Sequence, residues 1–474
     1  MNTMVLRSVA TVTALHEAGL TGRAAMLRAM ADEIVKDTDA LVAAADRETA
    51  LGSARLTGEV GRTAYQLRLF ADVLADGAYL EVAIDHADPQ AAPAPRPDLR
   101  RMLVPVGPVA VFAASNFPLA FSVPGGDTAS ALAAGCPVVV KANPGHPQTS
   151  DLAAAALRRG AEAAGLPAAV VQVVHGFEAG ANLVRHPSIR AVGFTGSLRG
   201  GRALFDLAAA RPDPIPFYGE LGSINPLVVT PAAAAERAEA IASGLAASFT
   251  QGVGQFCTKP GLAFVPAGAD GDRLIDALVA AVAEVPPGTM LTEAIRDAFT
   301  AGAAARSDLP GVRTAAGADG VSPRILVADA GKLDDALLEE CFGPLIVVAT
   351  YPSPDALLAA LARVEGSLTA TIHCGSGADD LAGRVASDVA GRAGRVLFNG
   401  YPTGVAVTWA MQHGGPWPAT TASLHTSVGA TAIRRFLRPI SYQDAPSTLL
   451  PAELREDNPL GLPRRVNGVY ELGR

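Results

Sequence analysis

The chain has 474 residues, 49% of them hydrophobic and 18% charged, with a formal net charge of −8. That length exceeds one ordinary core, so two or three domains are expected, and the composition excludes a disordered chain. The acidic balance, with no Lys/Arg tract, excludes nucleic acid as an expected partner.

In chain order, residues 18 to 78 read as helices. Apolar residues recur at helical spacing in Ala24-Met26-Leu27-Met30-Ile34 and in Leu67-Leu69-Phe70-Val73-Leu74. Residues 83 to 99 break the pattern with Asp88-Pro89 and Pro93-Ala94-Pro95-Arg96-Pro97, which read as an arm leaving the main domain. From residue 103 apolar runs alternate with helices. Strands are expected at Val109 to Ala113, Val138 to Val140, Val170 to Val174, Ala191 to Phe194 and Asn225 to Val229. Helices are expected at Gly125 to Ala134 and Asp151 to Ala164. Such alternation implies a parallel sheet covered on both faces, with functional residues just beyond the strands' C-terminal ends. A second alternation follows Cys257: a helix at Arg273 to Val282, strands at Leu345 to Ala349, Ala370 to His373 and Arg395 to Phe398, and a helix at Pro354 to Leu361. The tail from about residue 425 has few helix signals and five prolines. The expected fold is α/β. Residues 1–82 and 103–223 form a Rossmann-type dinucleotide-binding domain, 224–424 an α/β catalytic domain, and 83–102 and 425–474 an arm and tail.

The cysteines are Cys136, Cys257, Cys341 and Cys374, without CxxC spacing or matching His pairs. Neither a disulfide framework nor a zinc site is expected, no metal ligand is assigned, and a reducing cytoplasm fits. Met1 to Leu20 makes a poor signal peptide, and no apolar run is long enough to span a membrane.

Chemistry concentrates at a few points. Cys257 follows Gly252 and Gly254, whose flexibility permits a tight turn, and a thiol so placed can be a nucleophile. Asn116 follows a strand and can donate to a developing oxyanion. Lys141 ends a strand, where an ammonium can face a phosphate or ribose. Gly196, Ser197 and Gly201 open a helix with a Gly-x-x-x-x-Gly turn suited to a phosphate, although the fingerprint GxGxxG is absent. Glu220 lies among apolar segments, where a carboxylate pKa rises towards neutral and suits a base. Glu340 and Phe342 precede a tight turn. Singly, each has a plain structural explanation as a turn, cap or surface residue.

Together, and in this order, these motifs resemble the aldehyde dehydrogenase superfamily over residues 20 to 440. The resemblance implies an enzyme in which Cys257 attacks an aldehyde and Asn116 holds the oxyanion. Hydride passes to a nicotinamide, and Glu220 activates the water that hydrolyses the thioacyl intermediate. It assigns Lys141 to the adenosine ribose or its phosphate and Gly196, Ser197 and Gly201 to the pyrophosphate. Glu340 is assigned to the nicotinamide ribose and Phe342 to the nicotinamide. Family members that prefer NAD carry a glutamate three residues after the lysine; here that position is Pro144. NADP, or NADP preferred over NAD, is therefore expected, with His146 and Ser150 as helpers. Gly125 to Ser130, the His146-Pro147 loop, His413 to Pro418, His425 to Gly429 and Arg435 to Pro439 resemble the α-ketoglutaric semialdehyde (2,5-dioxovalerate) dehydrogenase branch. The alternatives are a medium- or long-chain fatty aldehyde substrate, transfer to coenzyme A (disfavoured by Glu220), and a non-catalytic binding protein. Phe117, Phe121, Phe256 and Trp417 are expected to line the substrate tunnel. Arg62, on the helix with Glu59, is a candidate cation for an anionic substrate. The arm and tail resemble the family's oligomerisation elements, implying a homodimer or homotetramer.

Overall fold

The computed structural model describes residues 1–317 and 320–473. Three sheets organise them. The first is parallel and five-stranded, in the order Val171–Val174, Val138–Lys141, Val109–Phe112, Ala191–Thr195, Phe217–Glu220. Its strands are short apolar runs, buried on both faces, as a helix-covered parallel sheet requires. The chain starts at Val109–Phe112, steps outward twice on one side, then returns to the other. The strand order therefore reverses between Val109–Phe112 and Ala191–Thr195. A crevice opens at such a reversal, beyond the strands' carboxyl ends. Asn116 follows one of the two strands and Gly196 the other.

The second sheet has seven strands: Arg313–Ala316, Arg324–Asp329, Leu345–Tyr351, Leu262–Pro266, Pro226–Val229, Ser367–His373 and Ala393–Phe398. Only the first pair is antiparallel. The helices Pro231–Thr250 and Ala269–Ala283 cover one face, where Ile241, Leu245, Phe249, Leu274 and Leu278 are buried.

The third sheet joins the two stretches read as arm and tail. Leu99–Pro105 pairs antiparallel with Leu437–Gln443 over seven residues, and Ala83–Asp85 runs parallel to Arg464–Val466. Val469–Glu471 closes the order at an edge. The N-terminal helices Gly19–Lys36, Thr38–Thr49 and Ser53–Asp76 pack through Met26, Leu27, Met30, Leu67 and Phe70 into the core beneath the first sheet. No helix among the described residues is long and apolar enough to cross a membrane.

Candidate active site

Cys257 sits just after the helix Pro231–Thr250, at the end of a turn that few sequences tolerate. Gly252, Val253 and Gly254 all have φ between +56° and +65°. Glycine accepts this region freely, but a β-branched valine does not. A Cβ on Gly254 would stand 2.3 Å from the Gly343 backbone, so only glycine fits there. The turn is pinned from the far side by Asn225, whose Nδ2 donates to the carbonyls of Cys257 (2.8 Å) and Lys259 (3.0 Å). Asn225 itself adopts a positive φ of 54°, which asparagine tolerates better than most residues.

Around the thiol the structure gathers His413 and Glu220, with Ser427 behind the carboxylate. His413 Nε2 stands 3.6 Å from Cys257 Sγ and 3.0 Å from Glu220 Oε1. Ser427 Oγ donates to Glu220 Oε2 at 2.7 Å. Asn116 Nδ2 donates one hydrogen to the Gln255 carbonyl at 2.9 Å, which leaves its second N–H for another acceptor. An ionised carboxylate only accepts, so Nε2 of His413 carries a hydrogen, which faces both Glu220 and the thiol. Nδ1 of His413 is buried without a partner.

The electrostatics correct one expectation. Glu220 does not have the raised pKa that burial alone would give. Burial does push it up, but the His413 charge and the hydrogen bonds from His413, Ser427 and Cys257 outweigh it, and the carboxyl lies below its ordinary value. Glu220 is therefore ionised at neutral pH. The Cys257 thiol moves the other way: burial and the neighbouring Glu220 charge push it well above the usual range. Glu340 is pushed up to about 7, chiefly by burial, with Lys259 opposing. Lys259 is itself wholly buried and donates to the carbonyls of Cys341 and Leu345, both at 2.9 Å, which holds the Glu340 turn against the Cys257 turn.

The liganding atoms of Cys257, His413 and Glu220 all lie within 4.8 Å of one another, compact enough to hold a cation. Hydrogen bonding among a thiol, an imidazole and a carboxylate accounts for that compactness.

Phe117, Phe121 and Phe256 converge. Phe117 lies 5.2 Å from Phe121 and 5.3 Å from Phe256, centre to centre, and Phe121 lies 6.3 Å from the His413 ring. Trp417 does not join them. It is 47% exposed and faces the Arg202 guanidinium at 5.6 Å, on the helix Leu198–Ala209.

On the opposite side, Lys141 ends its strand half-buried, and burial draws its pKa down. No carboxylate pairs with it among the described residues, and Pro144 is exposed. Ser197 caps the helix Leu198–Ala209 by accepting from the Gly200 amide, and the Gly196 amide donates to the Glu220 carbonyl. Gly201 is buried, and a Cβ there would meet Leu221 at 2.1 Å. Phe342 is half-buried beside Glu340. Two expected helpers are misplaced: His146 and Ser150 are fully buried, with His146 Nε2 on the Ala114 carbonyl at 2.8 Å and Nδ1 facing Ser150 Oγ at 3.3 Å. They brace the loop and present nothing to a ligand. An unpaired lysine, a helix N-terminus and a half-buried carboxylate around a strand-order reversal suit a dinucleotide.

Reading from the sequence left His413, Ser427, Lys259 and Asn225 without roles. His413 stood in a quoted stretch, but nothing in its spacing tied it to Glu220.

Fold and site define a nicotinamide-dependent oxidoreductase. The chain belongs to the aldehyde dehydrogenase family, whose model matches residues 3–417. It is 50% identical over 462 residues to α-ketoglutaric semialdehyde dehydrogenase 2 of Azospirillum brasilense, covering 95% of this chain and 88% of that protein. It is 44% identical over 456 residues to the α-ketoglutaric semialdehyde dehydrogenase of Acinetobacter baylyi, covering 94% and 87%. Among solved structures, 3,6-anhydro-L-galactose dehydrogenase in complex with NAP superposes with a TM-score of 0.78 at 21% identity, covering 93% of this chain and 90% of that one. Aldehyde dehydrogenase C of Pseudomonas syringae, with NAD+ and octanal, gives 0.77 at 22%, covering 94% and 88%.

Proposed function

We propose that this protein oxidises α-ketoglutaric semialdehyde to 2-oxoglutarate, with NADP preferred over NAD. The observation that carries the chemistry is the cluster of the Cys257 thiol, the ionised Glu220 carboxylate and the His413 imidazole, whose polar atoms lie within 4.8 Å of one another. The two relatives named for α-ketoglutaric semialdehyde support the substrate.

In this reading Cys257 gives its proton to Glu220 and attacks the aldehyde carbon, forming a C–S bond. The oxygen, now an anion, takes the free N–H of Asn116 and the Cys257 amide. A nicotinamide held beside Glu340 and Phe342 would supply the hydride acceptor for this carbon. Glu220 passes that proton to solvent and then takes a proton from water as the water attacks the thioester. The C–S bond breaks, the Cys257 thiolate takes back the proton held by Glu220, and the acid product leaves as a carboxylate after losing its own proton to solvent. His413, donating through Nε2, favours the ionised form of Glu220 in the resting site and so returns it to a carboxylate between proton transfers. Glu340 orients the ribose, with Phe342 beside it, and Ser197 and Gly201 shape the pyrophosphate turn. Lys141, unopposed at Pro144, suits a 2′-phosphate. The strand edge at Val469–Glu471, with Val469 67% exposed, fits a role for the third sheet in a homodimer or homotetramer.

A second reading, a medium- or long-chain aldehyde, draws on the Phe117, Phe121 and Phe256 cluster. The test offers the purified protein α-ketoglutaric semialdehyde and decanal, each with NADP and NAD. Higher kcat/KM with the oxo-acid and NADP supports the proposal, and higher kcat/KM with decanal favours the second reading. A Cys257→Ala variant that keeps full turnover sinks both.

A further inference from the structure

Beside the phenylalanine cluster lies a cation whose binding edge is empty. Arg62, on the helix Ser53–Asp76, sits over the Phe121 ring, its guanidinium carbon 5.5 Å from the ring centre. Its Nη1 is spent, donating to the Val405 carbonyl. Its Nε and Nη2 are buried and have no hydrogen-bond partner among the described residues. Nε and Nη2 form the side-on edge of a guanidinium, the edge that accepts a carboxylate through two parallel hydrogen bonds. The anchor is therefore at one corner and the fork is open. Leaving two buried donors unsatisfied is costly, so the arrangement is explained best by an acceptor that arrives from outside.

Arg395 reaches the same loop. Its Nη2 donates to the Pro402 carbonyl at 2.8 Å and its Nη1 to that of Gly404 at 3.3 Å, and its Nε is also buried without a partner. The thiolate form of Cys257 interacts with both arginines, which places both within electrostatic reach of the nucleophile. Nearby, Glu59 Oε1 accepts from the amides of Leu119 and Ala120, at 2.8 and 2.9 Å, while its buried Oε2 has no hydrogen bond among the described residues and its charge acts on Arg62 without bonding to it. Arg55, the third arginine of the group, is engaged by the Asn116 carbonyl at 2.7 Å and lies over Phe117 and Phe256.

We propose that the open Nε–Nη2 edge of Arg62 is the subsite for the carboxylate of a short 2-oxo acid aldehyde, with Arg395 adding a second positive charge across the Pro402–Val405 loop. This rests on the substrate reading above and says which residue makes it. The phenylalanines pack the short carbon chain, and the arginine edge sets how far the far end of the substrate stands from Cys257. An uncharged aldehyde finds the same packing and leaves the fork empty.

The test compares wild type, Arg62→Met and Arg62→Lys, each offered α-ketoglutaric semialdehyde and pentanal, with melting temperature and cofactor binding as controls of folding. Removing one side of a desolvated charge pair predicts a loss of about 100-fold in kcat/KM for the oxo-acid, carried mainly by KM. The pentanal value shifts far less. Arg62→Lys, a point charge without a fork, falls between. With pentanal as substrate, inhibition by 2-oxoglutarate weakens in Arg62→Met in the same proportion. Equal losses on both aldehydes, or undiminished inhibition by 2-oxoglutarate in a folded variant, overturn the subsite while leaving the substrate reading in place. A wild type that does not favour the oxo-acid over pentanal overturns the substrate reading and the subsite with it.

Discussion

His413 and Glu220 share a hydrogen bond of 3.0 Å, with side chains only 1% and 2% exposed. A buried carboxylate survives ionised only when its charge is answered. Here an imidazole N–H and a serine hydroxyl answer it, one on each oxygen. That charge in turn lifts the pKa of the thiol beside it. Glu220→Gln should therefore separate two properties. Turnover falls by about 100-fold or more, because the base for hydrolysis is gone. Alkylation of Cys257 by iodoacetamide near pH 7.5 becomes faster, because labelling at fixed pH reads the thiolate fraction and the opposing charge has been removed. Slower labelling in this variant would contradict the electrostatic account.

His413→Ala removes the strongest influence holding the Glu220 pKa down. Glu220 then titrates at higher pH, and the acid limb of the kcat profile moves up. Stability follows the same linkage. In the wild type the depressed pKa contributes stability above the ordinary carboxylate value of 4.5, and this is lost as the pH falls through the folded value. The melting-temperature gap between wild type and variant should be full at neutral pH and narrow below 4.5. A gap that is constant with pH would mean that His413 acts by packing alone.

The strands that frame the crevice were legible because they are continuous apolar runs, and Cys257, Asn116 and Glu220 each sit beside one or beside a glycine turn. The partners of Glu220 were not legible. His413 and Ser427 lie 193 and 207 residues further along the chain, and only the folded loops bring them over it. The third sheet was half-legible. Its strands are short, and Leu437–Gln443 is mostly exposed, so the tail's prolines spoke louder than its period-2 pattern. The misreading of His146 has a plain cause: a residue type suggests chemistry, but burial decides whether it meets a ligand.

Gly254→Ala tests the turn that carries the nucleophile. At φ +65° any side chain is strained, and a Cβ would press on the Gly343 backbone, which has no flexible end to move. We expect a loss of at least about 2 kcal/mol in unfolding free energy and a larger proportional loss of activity. Denaturant unfolding of the variant, run beside a cofactor-saturated sample, checks this. An unchanged midpoint would show that the backbone near Cys257 yields more easily than its geometry implies.

Cofactor choice is the last prediction, and it turns on Pro144. Lys141 has no carboxylate partner among the described residues, and the loop after it is braced by Asn143, whose Nδ2 donates to the Ala113 carbonyl at 3.1 Å and whose Oδ1 accepts from the Gly145 amide at 2.9 Å. Position 144 lies exposed within that braced loop, so a new side chain there should leave the fold intact. Pro144→Glu plants a negative charge three residues beyond the lysine. It repels a 2′-phosphate and offers an acceptor to ribose hydroxyls. The ratio of kcat/KM for NADP over NAD should fall by about 10-fold or more, while kcat with saturating NAD stays near wild type. Lys141→Ala should lower the same ratio by removing the attraction, so the two variants approach a common preference from opposite signs. If neither moves the ratio, the 2′-phosphate is read elsewhere, and the NADP preference loses its physical basis at this loop.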